Sequence, residues 1–170
     1  MKTICLHGPE STGKSMLAPR LAAHFGCGFV PEYGRTYCET HGIDLAMDDL
    51  LAIALTHDAT ARQARSAAKE WLFLDTDPLM TAVWADMLFG WRHPWLEKWD
   101  DVADLYLLFD IDLPWVADGT RLFGDPADRE RFMALSRAEL DRRGLRWALV
   151  SGTGEDRFAN ALAAIDAAEL

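Results

Sequence analysis

The sequence predicts an α/β domain with a mainly parallel sheet, and three observations lead there. Short apolar runs alternate with longer helical patterns from one end of the chain to the other. Each run is brief and apolar enough to be a strand buried on both faces. A glycine-rich stretch, GPESTGKS, lies between the first run and the first helical pattern.

The strands are expected in TICLH (3–7), GFVP (28–31), WLFLD (71–75), LYLLFD (105–110) and WALVSG (147–152). Helices are expected over 14–25, 47–70, 78–89, 94–102, 127–142 and 154–168. The first contains Pro19, which removes the N–H that would bond the Ser15 carbonyl and implies a local kink. The helix over 47–70 is rich in alanine, with acids in its first turn and Lys69 near its end, as the helix dipole favours. Two connections stand out. Residues 113–130 hold prolines, glycines and charges and form a candidate lid, while 41–49 form a plainer connector. No repeat or linker-like break divides residues 1–170, which predicts one domain.

Composition excludes some classes of function. The formal net charge of −10 repels a phosphate backbone, so nucleic acid is not an expected partner. No apolar run approaches the ~18 residues of a membrane span, and the apolar run after Lys2 is too short for a signal peptide. Cys5, Cys27 and Cys38 form no C-x-x-C pair and are read as reduced thiols, which fits a cytoplasmic location.

Gly8 to Ser15 fit G-x-x-x-x-G-K-[ST] without mismatch. The glycines, Gly8 and Gly13, let the backbone wrap so that the N–H groups of Glu10, Ser11, Thr12 and their neighbours point at phosphate oxygens. The following helix adds the positive end of its dipole. Lys14 then reaches the terminal phosphates, and the Ser15 hydroxyl can ligate Mg²⁺. A nucleoside triphosphate is the implied ligand. The N-K-x-D motif of guanine readers and the L-S-G-G-Q signature of transport ATPases are both missing, so ATP is expected.

An acid at a neighbouring strand end should help hold the metal, and Asp75 ends WLFLD. Asp77 lies on the same side if the chain stays extended; the alternatives there are a substrate ligand or a helix cap before Pro78. The second strand runs into E-Y-G-R, where Glu32 can accept a proton, Tyr33 can stack on a ring and Arg35 can pair with phosphate. An ordinary solvated turn is the competing reading. Asp110 and Asp112 are expected to cap the loop after the fourth strand.

The set G-P-E-S-T-G-K-S, E-Y-G-R-T-Y, F-L-D-T-D-P and L-P-W-V-A-D-G-T-R resembles the ribosylnicotinamide kinase domain of NadR-type NAD-biosynthesis proteins, across essentially the whole chain. The resemblance implies a P-loop kinase fold with a five-stranded parallel sheet in the order 2-3-1-4-5. It also implies transfer of the γ-phosphoryl group of ATP to the 5′-hydroxyl of nicotinamide riboside. Carried over by position, Glu10 to Ser15 hold the ATP phosphates, and Ser15 with Asp75 serves Mg²⁺. Glu32, Tyr33, Arg35 and Asp77 face the riboside. Trp115, Asp118 and Arg121 belong to the closing segment, with Arg121 neutralising the transferred group. The base stays open among Glu32, Asp75 and Asp77. Relatives that carry an adenylyltransferase domain show an H-x-G-H-type motif, which this sequence lacks, so that second activity is not expected. His57 stands where the family pattern I-A-x-x-Q has glutamine.

Seven tryptophans are present. Trp84 and Trp115, near Asp77 and the lid, are candidates to stack on an acceptor ring, while Trp91, Trp95 and Trp99 read as core or as a contact in a homo-oligomer. The alternatives to nicotinamide riboside are another nucleoside or a thiamine-like alcohol as acceptor, or an ATPase module that drives a partner.

Overall fold

The computed structural model describes all 170 residues. Its sheet has five parallel strands: β1 (Lys2–His7), β2 (Gly28–Val30), β3 (Trp71–Asp75), β4 (Leu105–Phe109) and β5 (Trp147–Val150). Their spatial order is β2-β3-β1-β4-β5, as the resemblance implied. Successive side chains of β1 point to opposite faces, and both faces are buried. Ile4 and Leu6 join one core with Phe73, Leu107 and Phe109, whereas Cys5 joins the other with Leu72, Leu74, Tyr106 and Leu108.

The helices sort by the direction of each crossover. From β1 the chain steps one way to β2 through α1 (Lys14–His24), which shares the first core with α7 (Gly154–Ala167). Every later crossover steps the opposite way. Its helices, α3 (Met47–Ala67), α4 (Pro78–Phe89) and α6 (Pro126–Arg142), therefore cover the other face. The direction reverses beside β1, which opens a crevice at the carboxyl ends of the strands. The P-loop, Glu32 and Asp75 all lie at that end, with Leu6 paired to Asp75 and Val30 to Leu74.

Two elements differ from the sequence reading. Residues Tyr33–His41 form a helix, α2, with no buried residue, so no apolar periodicity marks it in the sequence. The helix expected over 94–102 is one short turn, α5 (Pro94–Lys98). It stops because Trp99 turns into the core, where its indole N–H donates to Asp58 Oδ1 at 2.8 Å and its carbonyl accepts from Arg143. Helix α1 runs through Pro19 without interruption. The irregular segment shortens to about Asp110–Asp125, since α6 begins at Pro126 with the Asp125 carboxylate accepting from Ala127 N at 2.9 Å. Within it, Asp110 accepts its own loop's Ile111 N–H, and Asp112 accepts Gly152 N–H and pairs with Arg157.

Gly8 is where the sheet and the P-loop meet. Its φ is +124°, and a Cβ there would stand 2.9 Å from the Phe109 carbonyl oxygen on β4. Both the backbone conformation and the space exclude a side chain. Gly8→Ala should therefore destabilise the fold by about 2 kcal/mol or more, lowering Tm by roughly 5 °C in a thermal melt. An unchanged Tm would contradict this packing.

Candidate active site

The crevice holds a cavity of about 390 Å³. One half of its wall is the P-loop, Gly8 and Glu10 to Ser15, with the start of α1 behind it. The other half comes from Glu32 and Arg35 at the end of β2 and start of α2, from Leu50, Ile53 and His57 on α3, and from Met80, Thr81 and Trp84 on α4. Leu113, Val116 and residues 120–122 of the lid close it from above.

Lys14 is 7% exposed. Its Nζ donates to the carbonyls of Gly8 at 2.8 Å and Pro9 at 2.6 Å, while Thr12 Oγ1 ties Pro9 O at 2.8 Å. Burial lowers its pKa, and Glu32, Asp75 and Glu10 oppose that shift. Burial raises both carboxyls facing it. Glu32 rises further through repulsion from Asp75, and Lys14 and Arg35 pull it back. Asp75 is stabilised as an anion by the Ser15 hydroxyl and then by Lys14. Asp75 Oδ1 is buried with no hydrogen-bond partner. A hydroxyl beside a carboxylate with a spare oxygen suits Mg²⁺, which takes one or two protein ligands and completes its shell with phosphate and water. The lack of any cluster of three or more acidic, His or Cys ligands fits that mode rather than a protein-only cage.

The lid is fastened to the P-loop by side chains of the P-loop itself. Glu10 Oε1 accepts the N–H groups of Leu122 at 2.8 Å and Phe123 at 2.6 Å, and the Trp115 indole at 3.4 Å. Ser11 Oγ accepts Val116 N and Arg121 Nη1, both at 2.9 Å. Asp118 then joins lid to α2, contacting Arg35 at 2.5 Å and Arg121 at 3.1 Å. Desolvation works against the Asp118 charge, but the bonds from Arg35 and Thr120 outweigh it and hold the carboxyl well below its usual range.

Several candidates from the sequence stand outside the cavity wall. Asp77 does not face it. Thr76 adopts φ +71°, so the chain is not extended there and Asp77 turns beneath α4. Its Oδ1 caps that helix through Leu79 N at 2.9 Å, and its Oδ2 accepts the Tyr106 hydroxyl at 2.6 Å. Cap, not ligand, is its place. Tyr33 packs against the α3–α4 cluster and edge-on to Tyr37, with centroids 6.2 Å apart. Trp115 lies over Gly124, whose added Cβ would meet the indole at 3.0 Å, and anchors the lid rather than lining the cavity. Asp118 acts through its two arginines and is not in the wall. Trp84 does line the cavity, steadied by Phe123 and Phe132 at 5.2 and 5.3 Å. Of the tryptophan trio, Trp99 is buried, Trp95 packs on the core and Trp91 is exposed.

The wall also holds Leu50, Ile53, Met80 and Thr81, which the sequence reading did not single out. Leu50, Ile53 and His57 have the 3- and 4-residue spacing of one helix face, the signal that marks them in retrospect.

A phosphate-binding loop with its buried ammonium, the half-buried Glu32 carboxyl and a lid arginine thus meet in one cavity, while Asp75 is buried beside Lys14 and Ser15, outside the cavity wall. Residues 3–157 match the AAA_28 family model, an AAA domain. The chain belongs to this family. It is 36% identical over 141 residues to the trifunctional NAD biosynthesis/regulator protein NadR of Salmonella typhimurium, an alignment covering 79% of this chain and 34% of NadR. The chain thus spans about a third of the length of the curated relatives it matches. Among solved structures, NadR in complex with NR superposes with a TM-score of 0.80 at 28% identity over 98% of this chain and 49% of that one. NadR with NAD and AMP-PNP gives 0.77 at 27% identity, over the same shares. A deoxyadenosine kinase from M. mycoides matches at 0.70 with 10% identity, over 97% of this chain and 99% of its own, a likeness of fold alone. The fold is that of a P-loop kinase.

The Asp77 assignment has a pH signature. Burial lifts its carboxyl to about 6, against the bonds from Tyr106 and Leu79. With an unfolded value of about 4, its contribution to stability is full below about pH 4 and is lost as pH rises through 6. Asparagine keeps the cap and does not ionise. Asp77→Asn should therefore be at least as stable as wild type at pH 7 and flatten urea-unfolding stability between pH 4 and 7. A variant markedly weaker at pH 7 would contradict this.

Proposed function

We propose that this domain is an ATP-dependent kinase that phosphorylates the 5′-hydroxyl of nicotinamide riboside, yielding nicotinamide mononucleotide. The observation that carries the reading is the single cavity, in which a phosphate-binding loop faces the Glu32 carboxyl across a space roofed by residues 113–122, with the buried Asp75 beside Lys14. The NadR structures solved with NR and with NAD and AMP-PNP support this reading of the two ligands.

The roles follow from position and charge. The backbone N–H groups of Gly8 and Glu10 to Ser15 hold the ATP phosphates, and Lys14 leaves its carbonyl partners for the terminal phosphate oxygens. Asp75 with Ser15 holds Mg²⁺, which when bound neutralises phosphate charge. Glu32 takes the proton of the attacking hydroxyl, because Asp77 is committed to its cap and Asp75 to the metal side. The upward shift of Glu32 makes it a better proton acceptor. Arg121 neutralises charge on the transferred group, and Arg35 and Asp118 hold it in register with α2. Trp84 offers a face to the cationic nicotinamide ring. The negative charge of Glu32 and Asp75 favours that ring as well. Residues 1–170 act as one kinase domain with its lid near 113–125, working on small molecules rather than nucleic acid.

The test is product formation with ATP and Mg²⁺ against nicotinamide riboside, common nucleosides, thiamine and no acceptor, read by mass. Nicotinamide mononucleotide should dominate. Lys14→Ala should abolish transfer with the fold intact, and Arg121→Ala should lower kcat by ~10³. ADP formed equally without acceptor would overturn the kinase reading. A different dominant product would overturn the acceptor.

A further inference from the structure

His57 is the polar member of the α3 face that lines the cavity, one and two turns beyond Ile53 and Leu50. It is 3% exposed, yet neither ring nitrogen has a hydrogen-bond partner. The carbonyls of Pro31 and Asp75 approach it without forming hydrogen bonds, and its neighbour Asp58 is spent on Trp99 and Arg62. His7 also has two unpartnered ring nitrogens, but it packs edge-on to Tyr106 inside the protein and is not in the cavity wall. His57 alone of the two faces a space that a ligand can fill.

A neutral imidazole carries one N–H donor and one acceptor nitrogen. Buried polar atoms are nearly always paired, and two unpaired on one ring call for a partner that both donates and accepts. The cavity is apolar on the α3 and α4 side, through Leu50, Ile53, Met80 and Trp84, so it suits an uncharged group carried on a flat ring or sugar.

We infer that His57 is a specificity-determining residue that exchanges hydrogen bonds with an uncharged donor–acceptor group of the phosphoryl acceptor, an amide or a sugar hydroxyl. This inference rests on the nucleoside-kinase reading and deepens it. A leucine at this position offers no polar atom, whereas glutamine restores a donor and an acceptor.

The experiment measures kcat/KM for nicotinamide riboside and three analogues, in wild type, His57→Leu and His57→Gln. One analogue carries acetyl in place of the carboxamide; the others are the 2′- and 3′-deoxyribosides. Wild type should prefer the parent compound to at least one analogue by about 10-fold or more. His57→Leu should bring that ratio to within about 2-fold, with its loss on the parent falling mainly on KM for the riboside, whereas His57→Gln keeps the ratio. Collapse of the acetyl ratio identifies the amide as the partner; collapse of a deoxy ratio identifies a hydroxyl. His57→Ala replaces the leucine variant if that one fails to fold. Three wild-type ratios retained without His57, or no preference in wild type, would overturn the inference. No turnover of nicotinamide riboside by wild type would overturn the functional reading beneath it.

Discussion

The architecture turns on one buried positive charge. The Lys14 ammonium sits at the start of α1, drawn out of water and held by the carbonyls of its own P-loop. Desolvation lowers the pKa of an ammonium in that position. Glu32, Asp75 and Glu10 oppose that shift, and each comes from a different segment: the end of β2, the end of β3 and the P-loop. The sheet order brings these segments to the same edge. Burial raises the pKa of both carboxyls, and for Glu32 repulsion from Asp75 adds to the rise. A polyphosphate entering the loop offers Lys14 better partners than peptide carbonyls, and the three acids are then set against a ligand of their own sign. A metal cation held, as proposed, by Asp75 and Ser15 would relieve that conflict, which is why the spare oxygen of Asp75 matters.

The lid extends the same charge pattern upward. Glu10 and Ser11 are variable positions of the phosphate motif, yet here their side chains gather five lid groups and hold the lid directly over the loop. Asp118 carries the connection on to Arg35 and so to α2. Nucleotide loop, lid and acceptor-side helix are thereby linked through one run of hydrogen bonds and ion pairs. A ligand that claims Ser11 or Arg121 must alter the lid, and through Asp118 the wall that faces the acceptor. On the proposed function, such a link would couple closure over ATP to the wall that receives the acceptor.

Much of this was legible in the sequence, for reasons that are physical. The three central strands announce themselves as apolar runs because both faces of the sheet are covered there, and GPESTGKS needs its glycines wherever it occurs. Helix α2 was not legible, since it buries no residue and carries Gly34 in its first turn. Asp77 stayed open between helix cap and ligand because the left-handed turn at Thr76, a residue that seldom adopts it, breaks the alternation that spacing assumes and leaves the carboxylate on the cap. Tyr33 and Trp115 were legible as aromatic residues near the site, but only packing decides that one faces α3 and the other covers Gly124. The fastening role of Glu10 lay hidden because its partners are lid backbone groups more than 100 residues away, which no spacing rule connects.

The most direct test of this account is a crystal structure of the domain with AMP-PNP, Mg²⁺ and nicotinamide riboside bound together. The account predicts the riboside between Trp84 and Glu32, its 5′-oxygen within about 3.5 Å of the γ-phosphorus, and the Lys14 ammonium moved from the Gly8 and Pro9 carbonyls to phosphate oxygens. A riboside bound outside the cavity, or one whose 5′-hydroxyl points away from the γ-phosphate while Lys14 keeps its carbonyl partners, would contradict it.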